Sequence, residues 1–242
     1  MSSQRRAQQE PAFILHHRPF RDSSQIIDVL SREHGTLALV ARGSRSARSK
    51  LRGLLRPFLP LSLSWILKSD LGTLTGAEAA GAPLGLEGDA LLSAYYVNEL
   101  MLRFLHRHDP QPEIFRAYAG VISALAATDN VARCLREFEI EFLGQIGYAL
   151  NVECEADSQR ILEPEVHYRY RIDHGPVVVA RGGGRLVFTG AELLAIGRRE
   201  FARPEILRAA NRLLREVIDF HLDGRELNSR KVLVELHRTK LE

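Results

Sequence analysis

Apolar and polar residues alternate most regularly in FLPLSLSWILK, from Phe58 to Lys68. Leu59, Leu61, Leu63, Trp65 and Leu67 fall on one face, and Pro60, Ser62, Ser64, Ile66 and Lys68 on the other. A sustained period of two predicts a half-buried strand. Pro60 has no amide hydrogen to donate, which puts it at the start of that strand or at a sheet edge. Three shorter apolar runs precede it: AFILHHRPF from Ala12, SQIIDVLSRE from Ser24 and TLALVARG from Thr36. Turns at Arg21–Ser24 and His34-Gly35 separate them, and LGTLTGAEA from Leu71 supplies a fifth run. Five strands in about seventy residues, with a long connection after the third, predict a small closed barrel of the oligonucleotide-binding (OB) type over residues 12–81. The preceding segment, MSSQRRAQQEP, has no such pattern and is expected to be a disordered arm over residues 1–11.

The period changes after the Gly- and Pro-rich GAPLGLEG. Asp89 can cap a helix running to His108, with Leu92, Tyr95, Tyr96, Met101 and Phe104 forming a broad apolar stripe. Pro112 opens a second helix to Ala127. Asp129 or Asn130 caps a third, VARCLREFEIEFLGQIG, which Gly147 stops. HYRYRI, VVVARGG and RLVFTG then read as short strands, with a tight turn at Gly182-Gly183-Gly184. Helical periodicity resumes in GAELLAIGRREF and in RPEILRAANRLLREVIDFHL, and SRKVLVELHRTK is expected to form a last helix. The chain is thus expected to be α+β, with the barrel followed by a helical domain over residues 82–242. That domain carries an irregular β insertion at about 164–190.

Charge adds what periodicity cannot. The net charge of the 242 residues is only +3, but the first sixty hold eleven Arg and Lys against four acids, or +7, which leaves −4 for the rest. The excess concentrates between Val40 and Phe58, where Arg42, Arg45, Arg48, Lys50, Arg52 and Arg56 occur without one acid. Small residues such as Gly43, Ser44, Ser46 and Ala47 separate them. Like charges gathered in this way repel, and a phosphate backbone turns that repulsion into binding by releasing counterions. The alternative is a solvated basic loop that only keeps the protein soluble. The barrel also contains aromatic candidates for base stacking. Trp65 shares a face with leucines and belongs to the core, which leaves Phe20 and Phe58 as the better candidates, with packing as their alternative role. Binding is expected to rest on electrostatics, with weak sequence preference and steep salt dependence.

Other chemistry is sparse. There is no phosphate-binding G-x-x-x-x-G-K-[ST] loop and no G-x-S-x-G elbow. Cys134 and Cys154 are too few for a structural zinc, and neither His16-His17 nor His106-x-His108-Asp109 has complementary ligands at metal spacing. No metal and no cofactor is expected. Asp22, Asp28 and Glu33 could serve a magnesium-dependent nuclease, with turn formation and local charge balance as the alternative. An RNA-binding barrel protein is a third possibility. In the third helix, Arg133 and Arg136 border Leu135 and Phe138, an arrangement that suits an acidic peptide with a hydrophobic end. The competing account is intrahelical pairing, Arg133 with Glu137 and Arg136 with Glu139 or Glu141. No apolar run approaches the ~20 residues that span a bilayer, and no secretory signal follows the charged start, so a cytoplasmic protein is expected.

Several stretches, taken in order, resemble the RecO family of bacterial recombination mediators. They are LHHRPFRDSS from Leu15, DVLSREHG from Asp28, LVARGSRSARS from Leu39, YVNELMLR from Tyr96, FEIEFLGQIGY from Phe138, FTG from Phe188 and LDGRELNSR from Leu222. The resemblance covers nearly the whole chain. It implies an OB barrel, a helical domain and no enzymatic turnover. It also implies binding of single- and double-stranded DNA, annealing of complementary strands, and a partnership with RecR in loading the recombinase. The acidic C-terminal tail of the single-stranded-DNA-binding protein is a further implied partner. By this resemblance Arg42, Arg45, Arg48 and Lys50 contact DNA, and Arg136 grips the tail. Some members carry a four-cysteine zinc module in the insertion. Between Asn151 and Gly190 this chain has only Cys154, so zinc is expected to be absent.

Overall fold

In the computed structural model, residues 5–180 and 183–232 are described. The first five strands are β1 (Arg5–Phe20), β2 (Ser24–Ser31), β3 (Gly35–Ala41), β4 (Leu61–Leu67) and β5 (Leu71–Ala79). They close into a barrel in the order β1-β2-β3-β5-β4. All pairings are antiparallel except β3 with β5, the arrangement that gives an OB barrel its closure. The alternating face of β4 points inward as the pattern requires, and Leu61, Leu63 and Trp65 are buried with Ile27, Leu39 and Leu59 in one apolar cluster. Closure leaves β4 without a free edge, and Pro60 sits just before its first residue.

Residues 1–4 of the expected arm lie outside the described residues, and the rest of it is not an arm. From Arg5 onward, residues 5–11 form the first half of β1, pairing Arg5 with Leu67 and Ala7 with Trp65. Ala12 then pairs with both Leu61 and Ser31, so this one long strand closes the barrel by serving two neighbours. The polar RRAQQEP conceals a strand because it buries only Ala7 and Glu10. A shift in register between Ala7 and Glu10 accompanies a positive φ at Gln9, whose amide donates to Ser64 Oγ. Glu10 is satisfied inside: Ser31 Oγ donates to it at 3.0 Å and the Glu33 amide at 2.8 Å.

By packing, the chain divides later than its composition changes. One compact unit comprises the barrel, the helices up to Ala127 and the segment from Leu227; the other is Thr128–Glu226. In the first, α1 (Gly88–Phe104) and α2 (Pro112–Ala127) are tied to β1. Asn98 donates to the Leu15 carbonyl at 2.7 Å and accepts from the buried Tyr118 hydroxyl, also at 2.7 Å. Burial pushes the Tyr118 phenol far up, so it remains a neutral donor. Phe13 packs against Phe115 and Tyr118. α1 stops short of His108 because the chain there turns to the barrel, the His108 amide donating to the Thr36 carbonyl and Thr36 Oγ1 to that of His106.

The second unit contains α3 (Val131–Gln145), capped by Asn130, and a three-stranded sheet in the order β7-β6-β8. Its strands are β6 (His167–Arg171), β7 (Gly175–Val178) and β8 (Val187–Thr189), and α4 (Gly190–Gly197) and α5 (Pro204–His221) follow. Thr189 and Glu192 form a capping box at α4. A Cβ on Gly190 would lie 2.1 Å from the Glu163 carbonyl oxygen, so only glycine fits there. Of the Gly182–Gly184 turn, Gly182 lies outside the described residues. Residues 228–232 form a last described helical turn, and the remainder of SRKVLVELHRTK lies outside the described residues.

Glu99 of α1 serves as the cap of that helical turn, accepting from the amides of Asn228 and Ser229 and from Ser229 Oγ. Burial alone would raise its pKa, but these hydrogen bonds, with Arg103 nearby, outweigh burial and hold it below the usual carboxylate range. A depressed folded pKa gives stabilisation that is present above the ordinary carboxylate pKa and lost as pH falls through the lowered value. Glu99→Gln is therefore expected to cost about 1 kcal/mol at pH 7 and to lose its effect in acid. Amide exchange at Asn228 and Ser229, followed from pH 7 downward, checks this.

Candidate nucleic-acid interface

The connection from β3 to β4 is a series of turns held to the barrel by apolar anchors. The Ser46 amide donates to the Gly43 carbonyl, Ser49 to Ser46, Arg52 to Ser49 and Leu54 to Leu51. Successive i→i+3 bonds of this kind give residues three apart, such as Arg45 and Arg48, equivalent turn positions. At its start the buried Ser44 hydroxyl donates to the Ala41 carbonyl at 2.8 Å. The Arg45 amide donates to the Ser23 carbonyl at 2.8 Å, joining the loop to the β1–β2 turn. Leu55 and Leu59 are buried in the barrel cluster, with Leu51 and Leu54 packed against it.

Outward, Arg42, Arg45, Arg48, Lys50, Arg52 and Arg56 are all exposed. Among the described residues none of the six forms an ion pair. Two unit charges about 8 Å apart in water repel by roughly 0.5 kcal/mol, whereas burying one leucine gains about 1.5–3 kcal/mol. Leu55 and Leu59 are both buried, and salt screens all but neighbouring cations, so the anchors outweigh the repulsion and hold the cations together. The structure adds Arg21, absent from the sequence-based set. It is exposed in the β1–β2 turn, and its carbonyl lies 3.4 Å from Arg45 Nη1. Only the fold brings that turn to the loop, so charge counting within Val40–Phe58 could not include it.

The aromatic candidates separate. Phe58 is buried with its ring edge-on to Tyr95 and cannot act as a platform, because its positive φ turns it inward as a plug. Phe20 remains half-buried at the barrel surface beneath the Arg21 guanidinium, 5.2 Å from the ring centroid. Trp65 is core, with His34 edge-on at 5.3 Å.

Two of the three carboxylates considered for a nuclease are engaged elsewhere. Asp28 lies mid-strand, accepting from Arg18 at 2.9 Å, with Arg107 and His16 each at 3.5 Å. Glu33 pairs with Arg32, and Asp22 is exposed in the turn. Among the described residues no group of three or more His, Cys, Asp or Glu is placed to hold a metal ion.

The second candidate site, on α3, is more closed than its sequence implied. Arg133 donates to Glu137 at 2.8 Å on the helix surface, and this bond holds its guanidinium protonated above the usual range. Arg136 is buried. It donates through Nη2 to Glu139 at 2.5 Å and through Nη1 to the Asn211 side chain of α5. The intrahelical pairs set against the groove reading are thus present for both arginines. The Nε of Arg136 is nevertheless buried with no acceptor among the described residues.

Barrel order, loop position and the helical part that follows place this chain among OB-barrel proteins with a helical C-terminal region. The family profiles make the assignment specific. The N-terminal profile of recombination protein O matches residues 5–82, and the C-terminal profile matches residues 86–231. A protein named DNA repair protein RecO from Aromatoleum aromaticum is 41% identical over 98% of this chain and 99% of its own length. One of the same name from Methylococcus capsulatus is 39% identical over 91% of this chain and 90% of its own. The Aliivibrio salmonicida protein is 38% identical over 95% and 97%. The chain belongs to the RecO family. Among the described residues no helix is long and apolar enough to cross a membrane.

If the leucine anchors hold the basic loop, Leu55→Ala is expected to destabilise the protein by about 2–4 kcal/mol. It should also speed amide exchange selectively across residues 42–58. Urea denaturation combined with exchange mass spectrometry measures both effects.

Proposed function

We propose that the protein is a non-catalytic DNA-binding mediator of repair and recombination, acting in the cytoplasm on the nucleoid. The observation that carries this is the set of six exposed cations, unpaired among the described residues and anchored on an OB barrel. In the proposed mechanism, Arg42, Arg45, Arg48, Lys50, Arg52 and Arg56 bind the phosphates of single- and double-stranded DNA. Two complementary strands neutralised on one basic surface repel each other less, so they anneal more readily. The names of the relatives support a repair role, since each is called a DNA repair protein.

The family resemblance extends the proposal to two protein partners. One is RecR, with which the chain helps load the recombinase. The other is the acidic C-terminal tail of the single-stranded-DNA-binding protein, taken by Arg136 with Arg133 at its side. Support for tail capture comes from the Arg136 Nε, a buried donor with no acceptor among the described residues. An incoming carboxylate would satisfy it, once the seam between α3 and α5 opens and Glu139 gives way.

The test is a double dissociation. Arg45→Glu with Arg48→Glu is expected to weaken DNA binding by more than about tenfold at moderate salt while sparing an acidic tail peptide. Arg136→Ala is expected to do the reverse. Fluorescence anisotropy with labelled oligonucleotide and labelled peptide reads both; unchanged DNA affinity in the double variant contradicts the loop assignment. Incubating labelled single strands with magnesium separates this function from a nuclease, because cleavage in place of annealing would overturn it.

A further inference from the structure

One cavity in the Thr128–Glu226 unit has no part in DNA or tail binding as proposed above. It encloses about 560 Å³, within the ~300–1,000 Å³ range of ligand pockets. Three segments wall it: the turn after α3, the β6–β7 hairpin and the end of α5. The walls are aromatic. Tyr148 and His221 stack with centroids 3.8 Å apart at 19°, and Tyr148 remains 40% exposed. Tyr170 contributes a buried phenol, pushed up to about 12 mainly by burial, which stays neutral. Gly175 brings the hairpin close enough that a Cβ there would lie 2.8 Å from Asn151 Nδ2.

Two carboxylates stand at the rim, each beside a histidine. The hairpin turn, with Asp173 at φ +62°, holds that carboxylate 3.2 Å from His221 Nε2 while its side chain stays 56% exposed. His174 also lines the cavity and lies 3.0 Å from Asp157, which brings a second carboxylate alongside. No lysine or arginine lines the cavity among the described residues. Arg171 is near in sequence, but strand alternation sends it to the face opposite Tyr170, where it is exposed. Phosphate therefore has no lysine or arginine to meet there. Electron-rich ring faces beside carboxylates instead favour an organic cation.

We propose that this cavity is a binding site for a guanidinium or alkylammonium group, stacked on Tyr148 and paired with Asp173. The cation comes from a basic side chain of a protein partner or from a free polyamine. The site is independent of the DNA reading, since none of its residues belongs to the basic loop.

Saturation-transfer NMR on the full chain tests it, using acetyl-Gly-Arg-Gly-amide, spermidine and acetyl-Gly-Glu-Gly-amide as probes. One or both cationic probes are expected to bind, and the glutamate peptide is not. Asp173→Asn and Tyr148→Ala should each weaken binding by about fivefold or more. Preference for the arginine peptide identifies a protein partner as the source, and preference for spermidine a polyamine. Equal cation signals in wild type and Asp173→Asn, no cation signal, or preference for the glutamate peptide would overturn the proposal. Asp173→Asn keeps the side chain's size at a half-exposed turn position whose φ asparagine tolerates, so it decides the matter even if Tyr148→Ala fails to fold.

Discussion

Leucine burial against charge repulsion is the balance on which this molecule turns. The β3–β4 connection gathers six cations and offers them no internal counter-charge, so on electrostatics alone it would spread into solvent. Leu55 and Leu59 in the barrel cluster, with Leu51 and Leu54 beside them, prevent that. Ser44 and the Arg45–Ser23 backbone bond tie down the start of the loop. The unfavourable self-energy of the assembled charges is thereby stored in the folded state and becomes available to a polyanion. Asp28 shows the contrast. It is ringed by Arg18, Arg107 and His16, so that region of charge is settled within the protein.

Much of this architecture was legible because local pattern and fold agree. The alternating leucines of β4, the Pro112 start of α2 and the Asn130 cap of α3 each carry their own signal. The first half of β1 has none: Arg5 and Arg6 are exposed, and only pairing with β4, distant in the sequence, makes that segment a strand. The compact units were hidden for a similar reason. The Asn98–Tyr118–Leu15 hydrogen bonds join helix to barrel through side chains whose partners are far apart in sequence. The YVNELMLR motif is thereby explained in part, since Asn98 inside it bridges two elements.

At the candidate sites the sequence conveyed charge better than geometry. Exposure of all six loop cations could be anticipated from the small residues between them, whereas the addition of Arg21 required the closed barrel. Phe58 takes the packing role that its sequence also allowed. Arg136 sits where family likeness puts a tail-gripping arginine, yet it is buried against Glu139 and Asn211, and neither the bond to Asn211 nor the orphaned Nε has a local signature. Stacking of Tyr148 on His221, and the cavity beside them, depends on three separate segments meeting.

Function as proposed requires that nucleic-acid phosphates relieve the loop's stored repulsion. The direct measurement is the slope of log affinity against log salt for a short single strand bound to the intact protein. Six phosphate contacts predict a slope of about −4. A slope flatter than about −1 would mean that the loop's cations do not meet phosphates, and would contradict the account.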